Sequence, residues 1–176
     1  MRAIVTLVMT FGLLTCGVGC SPTSLAKRGL KEVKGASSKS EVVPGTTGGG
    51  LSRFGGVKIA RPQTDLGGLV DSRFRSALTS ELQGALTRGK KPVFPGGTPV
   101  LAIEPEITWY HKAGALGGIM GSDSFAVGLF WLKADGADIG RVQVVTKSGA
   151  MRTGPEDMAK SMAGELAKFL KKKRKN

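Results

Sequence analysis

Few residues in this sequence could carry chemistry: a single histidine, two cysteines, a pair of nearby glutamates and a stretch dense in glycine. Glu104 and Glu106 are two residues apart, which on a strand puts both carboxylates on one face, as paired acid–base catalysts would need. Alternating acids are, however, the ordinary pattern of a strand's wet face. His111 has the opposite parity and is expected half-buried at a strand end, in line with Ile107 and Trp109. A metal set joining His111 to those carboxylates would need a bulge to re-aim one of them, and no second histidine completes a zinc site. No Ser-His-Asp or Cys-His arrangement can be built, and no nucleophile elbow is present. The glycine-rich stretch 113–121 lacks the Gly-Lys-Ser/Thr ending of a phosphate loop and precedes a strand, so no helix N-terminus follows to meet an anion. It reads as a surface or oligomer-contact loop. The expectation is a protein that is not an enzyme and uses no cofactor or metal.

The cysteines point elsewhere. Arg2 is followed by an uncharged apolar run from Ala3 to Leu14, then by small residues around Gly17, Gly19 and Cys20. That is the anatomy of a secretory signal, and its apolar run is too short to span a bilayer comfortably. A cysteine at the expected cut resembles a bacterial lipoprotein signal, in which the cysteine is acylated (palmitate being a typical acyl chain) and becomes the new N-terminus. Cys20, with Gly19 before the cut, is favoured over Cys16, which has Leu13 at minus three but Thr15 at minus one. Ser21, rather than aspartate, points to the outer membrane, with the domain in the periplasm. If Cys16 leaves with the signal, the one remaining thiol is acylated and no disulfide framework is expected.

Lys and Arg number 26 against 13 Asp and Glu, a net charge of +13. Such a balance invites a nucleic-acid reading, but export removes that partner. Anionic lipid, lipopolysaccharide or cell-wall polymer would be the accessible polyanions. The basic run Lys171, Lys172, Lys173, Arg174 and Lys175, with Lys90 and Lys91, is the candidate contact.

The organisation follows from composition and period. Residues 1–19 are the signal, 20–50 a Ser-, Thr-, Gly- and Lys-rich flexible tether, 51–171 a globular domain and 172–176 a basic tail. Within the tether, Leu30 to Val33 and Glu41 to Val43 could add an edge strand. A strand is expected over Val57–Ala60, and a helix from about Leu69 to Arg88, on the stripe Phe74, Ala77, Leu78, Leu82, Ala85 and Leu86. Gly84 inside it suggests close packing on the sheet. Pro99 to Lys112 alternates, with Leu101, Ile103, Ile107 and Trp109 on one parity and Glu104, Glu106, Thr108 and Tyr110 on the other. Pro105 there requires an edge position or a bulge. Ser124 to Lys133 is apolar on both parities and is placed at the sheet centre, covered on both faces. An Asp135–Asp138 turn returns the chain along Ile139–Lys147. Thr153, Pro155 and Glu156 form a capping-box start to a last helix with the stripe Met158, Met162, Ala163, Leu166, Phe169 and Leu170. The order β-α-β-β-β-α describes an α+β two-layer sandwich: a mostly antiparallel sheet of about four strands with two helices on one face.

From Gly114 onward, three features occur together: the loop GALGGIMGSDS before the strand FAVGLFWLKA, the turn ADGADIG before RVQVVTKSG, and the terminal helix EDMAKSMAGELAKFL. With the preceding strand and helix, spanning 54–170, they resemble a family of small bacterial lipoproteins with a domain of unknown function. The order is also similar to the periplasmic domain of the curli secretion lipoprotein and the N-terminal domain of the translocation protein TolB. The resemblance implies a role in envelope assembly and carries over no catalytic residue. The chain departs from it in having no extended membrane-inserting hairpin. The doubly apolar strand then suggests a contact surface at Phe130 and Leu132, with Gly117 and Gly118 in the adjoining loop, for an envelope protein or a second copy of the chain.

Overall fold

The computed structural model describes residues 35–43, 50–88, 91–113, 124–148 and 153–175. The signal stretch, Cys16 and Cys20, the Leu30–Val33 segment, Lys90, and Gly117 and Gly118 lie outside the described residues.

In chain order come β1 (Ser37–Val42), β2 (Gly56–Ile59), α1 (Ser72–Thr87), β3 (Val100–His111), β4 (Phe125–Ala134), β5 (Ala137–Lys147) and α2 (Pro155–Lys173). They form an α+β fold with one five-stranded sheet in the order β1-β5-β4-β3-β2. Only the β2–β3 pair is parallel, as a strand–helix–strand crossover through α1 requires. The strand beyond the expected four is β1, which lies within the stretch read as tether and pairs antiparallel with β5. Three hydroxyls hold it there. Ser38 Oγ meets Thr146 Oγ1 at 2.7 Å and Ser161 Oγ at 2.8 Å, and Ser161 donates to the Ala36 carbonyl. Ser40 adds a bond to Glu165 on α2. Thr146, the one buried polar side chain among the described residues, is thereby satisfied.

Both helices cover one face. α1 buries Phe74, Leu78, Leu82 and Leu86, and α2 buries Met158, Ala159, Met162, Ala163, Leu166, Ala167 and Leu170. Beneath them lie Leu101, Ile103 and Ile107 of β3, Ala126, Phe130 and Leu132 of β4, and Val142 and Val144 of β5. Each buried leucine or phenylalanine contributes roughly 1.5–3 kcal/mol by leaving water. A Cβ on Gly128 would lie 2.9 Å from Met162 Sδ and 3.0 Å from the Phe130 ring, so glycine here lets α2 approach the centre of the sheet. Gly84, by contrast, faces open space rather than the sheet. Arg174 closes the far end: its Nη2 donates to the Phe54 carbonyl at 2.9 Å and its guanidinium lies over the Phe94 ring.

Two irregularities in the sheet correct the expected faces. β4 is central, but only its even-numbered residues are covered; Phe125, Val127, Leu129 and Trp131 look out from the other face. Phe130 and Leu132 are 0% and 1% exposed beneath the helices and cannot serve as a contact surface. In β3, the register against β4 shifts between Ile107 and Trp109. The extra residue turns Trp109 outward, 59% exposed, and sends Tyr110 inward against Phe74, with centroids 5.2 Å apart. Pro105 lies inside the sheet, just past the end of β2, where the ladder is interrupted. Beyond it the β3 edge is met by Gln63, whose N–H bonds the Pro105 carbonyl, and by the Thr64 hydroxyl, which donates to the Ile107 carbonyl. A missing N–H is therefore harmless at that point.

The helix starts are capped by aspartates. Asp71 accepts from the Arg73 N–H at 2.9 Å, with Lys112 at 3.4 Å from its other oxygen. At α2 the N-cap is Gly154 rather than Thr153, and Asp157 rather than Glu156 accepts from the Gly154 N–H.

Two outcomes follow for stability. The Arg73 amide hydrogen bond, reinforced by Lys112, holds the Asp71 carboxyl below its ordinary value. A depressed carboxyl stabilises the fold above its unfolded pKa, and that contribution is lost as pH falls through the folded value. Asp71→Ala should cost about 1 kcal/mol at neutral pH and nothing in strong acid, read from urea unfolding at each pH. At Gly56 a Cβ would sit 2.5 Å from the Gly97 carbonyl oxygen, which is backbone, whereas at Gly128 it meets a methionine sulfur able to retreat. Gly56→Ala should therefore cost about 2–3 kcal/mol and Gly128→Ala about 1 kcal/mol in the same assay.

Candidate functional site

The uncovered face of the sheet brings together most of the singled-out polar residues. Strand alternation exposes Ala102, Glu104 and Glu106 on β3, Val127, Leu129, Trp131 and Lys133 on β4, and Arg141, Gln143 and Val145 on β5. Register and twist then decide which of them touch. Glu104 lies directly opposite Trp131 and Glu106 opposite Leu129, but each acid reaches diagonally to the next residue on its face. Glu106 Oε2 accepts from the Trp131 indole N–H at 3.0 Å, and Glu104 Oε2 meets Lys133 Nζ at 2.6 Å. The Glu104 hydrogen bond pushes the Lys133 ammonium above the usual lysine range. On the other side of Trp131, the Arg141 guanidinium stacks 3.7 Å from the ring centre, with Asp138 3.5 Å from its Nη2. Both glutamates are thus tied to structural partners rather than turned toward each other across a cleft.

The bulge in β3 bears on the histidine. It does carry His111 to the carboxylate face, but five residues along the strand from Glu106, about 16 Å at strand rise. His111 is exposed rather than half-buried. Among the described residues, no group of three or more His, Cys, Asp and Glu side chains could hold a metal ion, and no helix is long and apolar enough to cross a membrane.

Beyond Leu129 this face holds one apolar row, followed by Phe125 between His111 and Lys147, whose ammonium lies 5.5 Å from the Phe125 ring. Trp109 pairs with Val127, and Val127 pairs with Val145, giving one cross-strand row over three strands. Trp109 is 59% and Val145 39% exposed, and Phe125 is 36% exposed beside them. Lys39 of β1, opposite Val145, ends the row with a charge, as edge strands commonly do. A single exposed valine means little, whereas a contiguous apolar row on one sheet face is a candidate contact feature. Sequence reasoning missed it because the bulge reverses the parity of Trp109, and no local signal in β3 marks the bulge.

The basic run is split by the fold. α2 continues through Lys173, and Lys171, Lys172, Lys173 and Lys175 are exposed. Arg174 is half-buried, bonded to the Phe54 carbonyl and stacked on Phe94, and it lines a cleft with Lys171 and Lys175.

No protein-family model and no curated protein matches the chain. Among solved structures, it is similar to PelC dodecamers from Paraburkholderia phytofirmans in two crystal forms. One, a point variant, is 10% identical with a TM-score of 0.48, and the match covers 77% of this chain and 97% of that one. The other is 9% identical with the same TM-score and coverage. A structure described as an uncharacterized protein is 18% identical, with a TM-score of 0.32, over 65% of this chain and 83% of that one. Likenesses of this degree transfer no residue and no activity.

Proposed function

We propose that this protein is an exported, lipid-anchored component of the bacterial envelope that works without catalysis, by binding another envelope protein or a second copy of itself. The row Trp109–Val127–Val145 carries this reading. It is a contiguous exposed apolar row on a sheet face that neither helix covers, and it lies next to a polar network that gives the face a defined shape. Glu104 and Glu106, the nearest approach to a catalytic pair, are occupied by Lys133 and Trp131, which supports a non-enzymatic role. Export and acylation at Cys20 rest on the signal sequence.

A second reading, contact with anionic lipid, lipopolysaccharide or wall polymer, is favoured by Lys171, Lys172, Lys173 and Lys175. These are exposed and, among the described residues, none of them takes part in an ion pair. Near an anionic surface each such cation adds about 1 kcal/mol. The two readings are compatible, since the lysines lie at the end of α2 and the apolar row lies on the opposite layer.

A photo-crosslinking residue at Val145 should trap a specific adduct in intact cells, while one at Arg88, exposed on the helix side, should not. The mass of the adduct distinguishes a second copy from a different protein. Equal labelling from both sites, or none from Val145, overturns the assignment of the face. Mass spectrometry of the mature protein should find the acyl mass on Cys20 and no peptide containing Cys16. Cys20→Ser should release the protein from the membrane fraction, and retention would refute the anchor.

A further inference from the structure

We infer a second binding site, on the helix layer, for a dianionic phosphate group. It is independent of the contact face proposed above. A cleft of ≈ 380 Å³ lies between the chain leaving β2 and the first half of α1, lined by Arg61, Pro62, Ser72, Arg75, Ser76 and Thr79. The four helical residues fall at i, i+3, i+4 and i+7, so they form one stripe along the exposed side of α1, next to the buried stripe of Phe74 and Leu78. The lining holds two guanidiniums and no carboxylate, and among the described residues neither arginine is in an ion pair.

Among the described residues, three arginines have a buried Nε–H without an acceptor: Arg75, Arg141 and Arg174. The last two have their guanidiniums engaged elsewhere, Arg141 on Trp131 and Asp138, and Arg174 on Phe94 and the Phe54 carbonyl. Among the described residues, nothing engages the Arg75 guanidinium in this way. An unsatisfied buried donor is costly unless something accepts from it. The donors match a phosphate: planar guanidinium forks suit its oxygens, and two positive charges balance a phosphomonoester better than a single carboxylate. The Ser72 and Ser76 hydroxyls border the same cleft as additional donors. The Thr79 hydroxyl already donates to the Arg75 carbonyl and contributes shape only.

The test is calorimetric titration of the purified full chain with inorganic phosphate, glycerol 1-phosphate, acetate and phosphatidic acid vesicles. Saturable one-to-one binding of inorganic phosphate is expected, with acetate weaker by about tenfold or more. Arg75→Gln and the loop variant Arg61→Gln should each weaken phosphate binding by about tenfold, whereas Lys172→Gln, at the far end of α2, should leave it unchanged. Arg61→Gln keeps the test decisive if Arg75→Gln fails to fold. Stronger binding of glycerol 1-phosphate than of vesicles identifies a soluble ester, and the reverse identifies a lipid headgroup. Absence of saturable phosphate binding, acetate binding equal to phosphate, full binding by Arg61→Gln, or equal loss in Lys172→Gln would each overturn the site.

Discussion

The two helices bury a single face of the sheet, and β4 is where that constraint is sharpest. Its sequence is apolar on both sides, yet there is helix enough for only one. Ala126, Phe130 and Leu132 go under Met162 and its neighbours, with Gly128 admitting the helix. Val127, Leu129 and Trp131 are left to be managed on the open side. The molecule manages Trp131 by surrounding it with Glu106 and Arg141, which satisfy its N–H and cover its ring. It does not do the same for Val127, and that difference leaves one apolar row, Trp109–Val127–Val145, on a face that is otherwise polar or charge-flanked.

The same one-sided packing explains how the ends are secured. β1 has little apolar character and would be a poor strand alone. It is fastened by hydroxyl contacts to Thr146 and to Ser161 on α2, so the edge of the sheet and the end of the helix layer share one polar seam. At the opposite end of α2, Arg174 bonds backbone next to β2. The terminal helix thus touches both ends of the sheet order, and the layers cannot slide without breaking directional bonds.

The layers, the element order and the central place of β4 were legible, because the 3.6- and 2-residue periods are strong in α1, α2, β3 and β5. The choice of open face was not. The tight turn at Asp135–Gly136, with both φ values positive, pairs Ala134 with Ala137, and an unbroken register from there would set Phe130 opposite Arg141. The shift after Leu132 sets it opposite Val142 instead, which puts Phe130 in the core. A second shift reverses Trp109 and Tyr110. Each slip of one residue exchanges faces; the first falls beside Gly140, opposite Leu132, and the second carries neither glycine nor proline between Ile107 and Trp109. β1 was legible only at its end, where Glu41 and Val42 fall in the expected edge strand; Ser37–Ser40 has the composition of a linker and pairs with residues a hundred or more positions away. The arginine cleft was equally invisible, since it joins Arg61 to a helix stripe that reads as ordinary solvated surface.

Consider α2 as the last-made part of the core. Until residues 155–173 exist, the helix-facing side of β4 and β5 has half its cover, and Ser38 lacks its partner on Ser161. The nascent chain up to β5 is therefore held back from a finished interior by arithmetic of synthesis alone. Detachment of α2 alone would uncover Phe130, Val142 and Val144, so the integrity of the interior rests on one helix staying docked.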